Sequence, residues 1–252
     1  MKKTLNLAHR GFSGKYPENT RAAFEAAVGV QGCDGFESDV QLSADGEPVI
    51  VHDTALARTT TGKGVVGDYT FSQLRGLDCG AWFAPEFAGQ QMLHLDELLQ
   101  IVADSGLVLN LEIKNYDVFY KDIEEIVVGR IRKAGLESRV FLSSFNHPSM
   151  AKCRTIAPEI EVGLLYGYPL LDMEQTAVKY NINALHPRYS CLMLQPQLAT
   201  LAHAAGKKIN TWTVNTPEDM RFCLAQRADS IITNYPDLLA EVMSSQLKGE
   251  KE

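Results

Sequence analysis

The sequence predicts an α/β protein with the architecture of a (β/α)8 barrel, the TIM-barrel fold. Three observations indicate this fold class. The chain has 252 residues, a length at which one barrel of this kind is common. Short β-rich runs alternate with amphipathic helical patterns along most of the chain, as in sheets built from βα units. One tight turn accounts for a ninth strand beyond the eight that a barrel needs.

The strands are predicted from short runs of apolar and β-branched residues, most of them followed by a helical pattern. The first helical pattern covers residues 21–30, with Asn19 or Thr20 as its N-cap, and Asp96 is the expected cap of a later helix. The predicted strands are residues 4–8, 36–42, 49–52, 107–114, 140–145, 161–166, 183–186, 208–214 and 230–234. The remaining helical patterns fall at residues 98–102, 118–134, 148–156, 174–180, 195–205, 217–225 and 236–244.

The second and third runs are too close together for a parallel connection. Residues 43–48 separate them, whereas a parallel crossover needs a dozen residues or more. Within this stretch Asp45-Gly46 is typical of a two-residue hairpin turn. Residues 49–52 are therefore expected to fold back antiparallel on the second strand, which leaves eight strands for the barrel.

The same hairpin predicts a cluster of polar side chains. A two-residue turn places Leu42 opposite Val49 and, further along the ladder, Asp39 opposite His52. Opposed residues lie about 4.5–5.5 Å apart on one face of a sheet. Glu37 precedes Asp39 by two residues and shares that face.

A long glycine-rich segment without a strong strand pattern follows at residues 53–93. Such a segment is uncommon unless it is functional. We expect one barrel domain over residues 1–252, with this segment as a small inserted subdomain capping one barrel mouth. Its aromatic residues form either the subdomain's own core, which we favour, or an apolar mouth facing a membrane; they are Phe71, Trp82, Phe83 and Phe87.

Composition excludes several classes of protein. The net charge of −7 provides no basic excess for nucleic acid, so an anionic substrate needs a locally positive pocket or a metal. Five dispersed cysteines without a C-x-x-C pair indicate free thiols in a reducing compartment rather than a zinc site. No apolar run reaches the ~20 residues of a membrane span or the ~7–15 of a signal peptide. We therefore expect a cytoplasmic protein without stable membrane insertion.

Candidate chemical residues lie where predicted strands end, the position of active sites in such barrels. His9 ends the first strand, and Gly11 after it would let a ligand approach. Glu37 and Asp39 occupy alternate positions of the second strand, and Glu112 lies near the end of the next barrel strand.

Carboxylates buried together are costly unless a cation compensates them. A hard divalent ion with oxygen ligands would do so. The alternative is a set of structural ion pairs in which Asp39 or Glu112 contacts Arg10 or Lys114. His186 ends another strand and either lines the pocket or, as we favour, has a structural role.

Seven short motifs occur in order along the chain. They are His9-Arg10-Gly11, Pro17-Glu18-Asn19-Thr20, Glu37-x-Asp39, His52-Asp53, Arg58-Thr59-Thr60 with Gly62, Glu112-x-Lys114 and Trp212-Thr213-Val214-Asn215. Together they resemble the glycerophosphodiester phosphodiesterase family over residues 7–236. One departure is Leu93-His94-Leu95, where the family usually has Pro-Thr-Leu at a helix start.

The resemblance implies a TIM barrel with an insertion after its second strand. It also implies hydrolysis of a small-molecule glycerophosphodiester to an alcohol and sn-glycerol 3-phosphate, with one Mg²⁺ or Ca²⁺ as cofactor. The oligomeric state is left open, with a homodimer as one option. The implied metal ligands are Glu37, Asp39 and Glu112. The implied acid–base pair is His9 and His52; we assign His9 as base and His52 as acid and leave the reverse order open. Arg10 and Lys114 would contact the phosphate, and Trp212 and Tyr166 either contact the substrate or pack the barrel.

Three other functions remain as alternatives. The same site could hydrolyse a lysophospholipid or sphingolipid, which requires an apolar mouth. A non-catalytic phospho-ligand module would be expected to lack one of the two histidines or a carboxylate, and all five are present. A metal-dependent aldolase or isomerase barrel would not need paired histidines around three carboxylates.

Overall fold

The computed structural model describes residues 3–249, and eight of its nine strands close into a parallel barrel. The first strand pairs with both the second and the last, so the fold class predicted from sequence is confirmed. The third strand pairs antiparallel with the second. The strands are β1 (Leu5–His9), β2 (Gly35–Leu42), β3 (Pro48–Ile50), β4 (Val108–Ile113), β5 (Val140–Ser144), β6 (Glu161–Tyr166), β7 (Ala184–Pro187), β8 (Lys208–Thr211) and β9 (Ser230–Thr233).

Helices surround the barrel, and a large apolar core fills the space between them and the sheet. The helices are α1 (Arg21–Val28), α2 (Phe71–Arg75), α3 (Leu95–Ser105), α4 (Ile123–Ala134), α5 (His147–Ile156), α6 (Met173–Lys179), α7 (Tyr189–Leu194), α8 (Leu198–Ala204), α9 (Pro217–Ala225) and α10 (Pro236–Gly249). The short helix α7 was not predicted. Within residues 3–249, no helix is both long and apolar enough to span a membrane.

The N-cap predicted for α1 is present, whereas the N-cap predicted for α3 is not. The Thr20 hydroxyl accepts a hydrogen bond from the Ala23 amide, which confirms one of the two predicted caps of α1. Helix α3 begins two residues earlier than expected, because His94 rather than Asp96 is its N-cap. The His94 Nδ1 atom accepts from the Asp96 amide at 3.1 Å. This cap stands at the position where the sequence departs from the family pattern.

The predicted hairpin is present, but its register is wrong by one residue. Leu42 pairs with Pro48 rather than with Val49. The reason is a three-residue loop in which Gly46 adopts a left-handed conformation (φ 79°), so Asp45-Gly46 is not a two-residue turn. A slip of one residue would move His52 to the other face. Because β3 ends at Ile50, His52 leaves the ladder and still reaches the pocket at the barrel mouth.

The inserted segment, residues 53–93, contains helix α2 and three single-turn 3-10 helices. Phe71 packs against an apolar cluster that the segment shares with the hairpin, as expected. The other three aromatic residues, Trp82, Phe83 and Phe87, are not in this cluster. They form a row of edge-on and tilted ring contacts that continues to Tyr16, with ring centroids 5.4–5.7 Å apart. The division into a barrel domain and an inserted subdomain remains a prediction. The apolar cluster comprises Val49, Val51, Leu56, Val66, Leu74, Cys79 and Met92.

Close packing inside the barrel requires a glycine at position 163. A Cβ atom on Gly163 would lie 2.2 Å from the His186 ring, which is fully buried and does not line the pocket. The Asn210 amide nitrogen donates to His186 Nε2 at 2.8 Å, and the ring packs edge-on against Phe141. Burial lowers the pKa of His186 to about 3. The geometry therefore matches the structural role favoured for His186.

We expect Gly163→Ala to lower the free energy of unfolding by about 1–3 kcal/mol, because the added methyl group overpacks a rigid ring. Gly129→Ala is the matched control: Gly129 lies inside α4 with no atom near its missing Cβ, so alanine there should stabilise the helix by about 0.5–1 kcal/mol. Urea denaturation of both variants measures these changes. Equal effects of the two substitutions would contradict the packing argument.

Candidate active site

Sheet register brings the predicted acidic residues together at the carboxyl ends of the strands. His9 of β1 lies beside Glu37 of β2, and Asp39 of β2 lies beside Glu112 of β4. Lys114 follows β4 directly. Because side chains alternate along a strand, Glu37 and Asp39 share one face of β2. All five residues therefore meet at one mouth of the barrel.

The three carboxylates form a compact, buried trio. Glu37, Asp39 and Glu112 each offer an oxygen, and these oxygens lie within 4.8 Å of one another. The Asn19 amide donates to Asp39 Oδ2 at 3.0 Å, whereas Asp39 Oδ1 is buried with no hydrogen-bond partner among the described residues. Three hard oxygen donors with one unpaired lone-pair site fit Mg²⁺ or Ca²⁺.

Two cationic side chains lie against this trio. Lys114 Nζ is 3.0 Å from Glu112 Oε1 and 3.7 Å from Asp39 Oδ1. Arg10 Nε is 3.5 Å from Asp39 Oδ2. The ion pairs offered as the structural alternative therefore exist. Since they set two positive charges against three carboxylates, they leave room for a further cation.

The pKa values of the trio reflect this balance. Burial alone would raise the pKa of Asp39, but the charges of Lys114 and Arg10 outweigh burial and hold that pKa below its usual range. Burial, followed by the charge of Asp39, raises the pKa of Glu37 well above the usual value. Burial also raises the pKa of Glu112. Without a further cation, the trio therefore holds negative charge at a high cost.

Each of the two histidines has its Nδ1 atom fixed by a partner for which the sequence predicted no role. His9 Nδ1 donates to Asn234 Oδ1 at 2.6 Å, and His9 Nε2 is 3.7 Å from Glu37 Oε2. Burial and the adjacent Arg10 charge lower the pKa of His9 to about 3. His52 Nδ1 donates to the Asp53 carboxylate at 2.6 Å. In both rings Nε2 is therefore the nitrogen available to a substrate.

Arg10 belongs to a larger network of ion pairs with Glu18, Arg58 and Asp53. Its Nη1 atom donates to Glu18 Oε1 at 2.8 Å, and Arg58 donates to the same carboxylate. Arg58 also donates to Asp53. Glu18, Asp53 and Arg58 belong to motifs that carried the family resemblance, and no role was predicted for them. The signal was present in the motifs, but the contacts span up to 40 residues and are not readable from spacing.

A glycine is needed at position 11 for a different reason from the one expected. It adopts φ 79°, and a Cβ there would lie 2.7 Å from the Ala23 backbone. Gly11 therefore allows α1 to pack closely against the loop after β1, rather than allowing a ligand to approach.

Aromatic residues form one side of the pocket. Trp212 lines it together with Phe145, the two rings being 5.6 Å apart. Tyr116 packs on Phe145 and donates its hydroxyl to Glu112 Oε1 at 2.9 Å. Tyr166 is buried and does not line the pocket. The sequence analysis did not identify Phe145 and Tyr116 as site residues. Phe145 ends a predicted strand and could have been found from that position.

The pocket unites the predicted chemistry in one open space of about 390 Å³. Its lining includes both histidines, two of the three carboxylates and Arg10. The structure therefore brings together all the residues predicted for the site, with Asp39 and Lys114 beneath the pocket wall in contact with Glu112 and Arg10.

Comparisons with known proteins agree with this geometry. The chain matches the model of the glycerophosphoryl diester phosphodiesterase family over residues 9–238. A glycerophosphodiester phosphodiesterase of Caldanaerobacter subterraneus subsp. tengcongensis is 39% identical over 241 residues, covering 96% of this chain and 98% of that protein. A similar fold occurs in a putative glycerophosphoryl diester phosphodiesterase from Silicibacter pomeroyi, with a TM-score of 0.86, 27% identity and coverage of 97% and 94%.

A second solved structure is similar and holds a ligand. It is an Oleispira antarctica phosphodiesterase in complex with the product sn-glycerol-3-phosphate, with a TM-score of 0.85, 29% identity and coverage of 96% of this chain and 97% of that chain. Because the family model spans nearly the whole barrel and relatives match at full length, this chain belongs to the glycerophosphoryl diester phosphodiesterase family and is an enzyme of that class.

Proposed function

We propose that this enzyme hydrolyses water-soluble glycerophosphodiesters, such as glycerophosphocholine and glycerophosphoethanolamine, to an alcohol and sn-glycerol 3-phosphate, with one Mg²⁺ or Ca²⁺ as cofactor. The observation that carries the proposal is one open pocket with two histidines, Arg10 and a buried carboxylate trio around it. The product complex of the Oleispira relative supports the same reaction.

Glu37, Asp39 and Glu112 are the residues that would hold the cation, because their oxygens converge and Asp39 Oδ1 has no partner. When bound, the ion supplies positive charge that stabilises the phosphorane-like transition state and offsets the trio. Arg10 and Lys114 add fixed positive charge beside it. Charge that is already oriented before reaction stabilises a developing anion more than reorienting water does.

The surroundings of the two histidines support a division of labour. The Asp53 carboxylate accepts from His52 Nδ1 and fixes this ring with Nε2 available to the leaving alcohol oxygen, so we assign His52 as the proton donor. Burial and the adjacent Arg10 charge lower the pKa of His9 to about 3 and outweigh the hydrogen bond to Asn234, which raises it. His9 is therefore neutral before the reaction, which suits a proton acceptor. In this assignment His9 Nε2 takes the proton of the glycerol 2-hydroxyl as that oxygen attacks phosphorus. His52 Nε2 gives a proton to the departing alcohol oxygen.

The second half of the reaction reverses these roles. The first half leaves a cyclic phosphate, a protonated His9 and a neutral His52. His52 takes a proton from water as the water oxygen attacks phosphorus, and His9 returns its proton to the 2-oxygen. Atoms and protons balance, and both rings regain their starting states.

Trp212 and Phe145 would contact the alcohol group or glycerol. Aromatic faces bind quaternary ammonium groups by cation–π attraction, which favours glycerophosphocholine among the diesters. We further propose a cytoplasmic location, because all five cysteines are free and buried, and a small-molecule rather than a nucleic-acid partner, because the net charge is −7. A homodimer remains a prediction.

A second substrate class is favoured by one observation. The loops after β4 and β6, at the same end of the barrel as the pocket, carry large exposed apolar side chains. Phe119, Tyr168 and Leu171 are 80%, 79% and 85% exposed. An apolar rim of this kind could hold the acyl chain of a lysophospholipid. Trp82 and Phe83 are also exposed, on the inserted segment.

The decisive experiment is a hydrolysis panel. We expect release of sn-glycerol 3-phosphate from glycerophosphocholine and glycerophosphoethanolamine, loss of turnover in EDTA, and recovery on adding Mg²⁺ or Ca²⁺. Lysophosphatidylcholine in the same panel tests the second substrate class, which a higher kcat/KM on that lipid would favour. Undiminished turnover after exhaustive chelation would refute the role of the trio.

We expect His9→Ala and His52→Ala each to lower kcat by about 10²–10⁴-fold, because each removes a proton-transfer group. His203→Ala is the matched control, since His203 lies on α8 and pairs only with Asp229 among the described residues. Steady-state kinetics and circular dichroism separate chemistry from folding. Full activity of either variant would show that the assigned acid–base roles are wrong.

A further inference from the structure

A continuous chain of charged hydrogen bonds joins the phosphate side of the pocket to one of its histidines. It runs from Arg10 through Glu18, Arg58 and Asp53 to His52. Every link from heavy atom to heavy atom is between 2.5 and 2.9 Å. Charge-assisted hydrogen bonds of this length are stronger and more directional than neutral ones.

Arg58 occupies the centre of this chain. Its Nη1 and Nη2 atoms donate to the two oxygens of Glu18, both at 2.8 Å. Its Nε and Nη2 atoms donate to the two oxygens of Asp53, at 2.5 and 2.9 Å. The planar fork of a guanidinium can hold two carboxylates in fixed positions in this way, and an ammonium cannot.

The residues of this hydrogen-bonded chain come from different parts of the fold. Glu18 lies in the loop between β1 and α1, whereas Arg58 ends the first 3-10 helix of the inserted segment. Asp53 Oδ1, which Arg58 holds, is the same atom that accepts from His52 Nδ1. The orientation of the His52 ring therefore depends on a residue of the inserted segment that does not line the pocket around His52 and Trp212.

We propose that Arg58 is a positioning residue that orients His52 through Asp53 and, through Glu18, fixes this histidine relative to Arg10. The inserted segment thereby takes part in proton donation to the leaving alcohol. This inference rests on the proposed role of His52.

The competing explanation is that Arg58 only attaches the inserted segment to the barrel. The chain contains a matched control for that explanation. Arg75, on α2 of the same segment, donates to both oxygens of Glu97 on α3. Arg75 and Arg58 are similarly exposed, at 34% and 44%. Arg75 therefore attaches the same segment by the same kind of pair, without contacting Asp53.

The experiment compares Arg58→Ala, Arg75→Ala and His52→Ala on two diesters of glycerol 3-phosphate. One is glycerophosphocholine, whose choline oxygen needs a proton to depart. The other is the 4-nitrophenyl diester, whose leaving group departs as a stable anion without one. Thermal unfolding of each variant measures the loss of segment attachment, which should be similar for the two arginine variants.

We expect Arg58→Ala to lower kcat on glycerophosphocholine by roughly 10–100-fold, by analogy with the loss on removing the partners that orient metal-binding histidines. On the nitrophenyl diester the rate of nitrophenolate release in a single turnover, which precedes the step in which His52 takes a proton from water, should fall less than threefold. His52→Ala should follow the same pattern with a larger loss, and Arg75→Ala should change kcat on both substrates less than threefold. Arg58→Lys, which keeps the charge but not the fork, should lie between Arg58→Ala and the unmodified enzyme, and it replaces Arg58→Ala if that variant does not fold.

Two outcomes would overturn the inference while leaving the proposed function intact. In one, Arg58→Ala and Arg75→Ala lose equal activity, so Arg58 only attaches the segment. In the other, Arg58→Ala loses equally on both diesters while His52→Ala retains its leaving-group dependence. A fully active His52→Ala variant would instead overturn the role of His52 in the proposed function, and this inference with it.

Discussion

Three carboxylates buried within 4.8 Å of one another are the constraint on which the rest of this structure depends. Removing each charge from water costs several kcal/mol, and like charges this close repel strongly. Arg10 and Lys114 compensate part of the cost, and the Asn19 amide satisfies one oxygen. The remaining negative charge is what a divalent cation would neutralise. A fold that retained this arrangement without a ligand would be less stable than one that replaced it.

The site combines a rigid part and an added part. The barrel strands fix the carboxylates and His9, because neighbouring strands align His9 with Glu37 and Asp39 with Glu112. His52 is different, since it follows β3 and depends on Asp53 and Arg58 for its orientation. The inserted segment packs on the hairpin through a shared apolar cluster. Its link to the proton-transfer groups is instead the polar contact of Arg58 with Asp53.

The sequence was sufficient where the pattern was local or periodic. Alternation of strands and helices predicted the closed barrel, and motif order predicted the site residues that the pocket brings together. The predicted hairpin register was wrong because it depends on the backbone conformation of one residue. Gly46 is left-handed, which gives a three-residue loop and shifts the register by one residue. The cap by His94 was missed because histidine is an uncommon N-cap. Asn234 could not be paired with His9 because 225 residues separate them.

A crystal soaked with Mn²⁺, an ion that takes the same oxygen ligands and scatters anomalously, tests directly whether the three carboxylates hold a cation. We expect one anomalous peak at the barrel mouth, about 2.0–2.6 Å from an oxygen of each of Glu37, Asp39 and Glu112. The same soak of an Asp39→Asn variant should show a much weaker peak. A strong peak elsewhere with none at these three carboxylates would show that the trio is not the cation site.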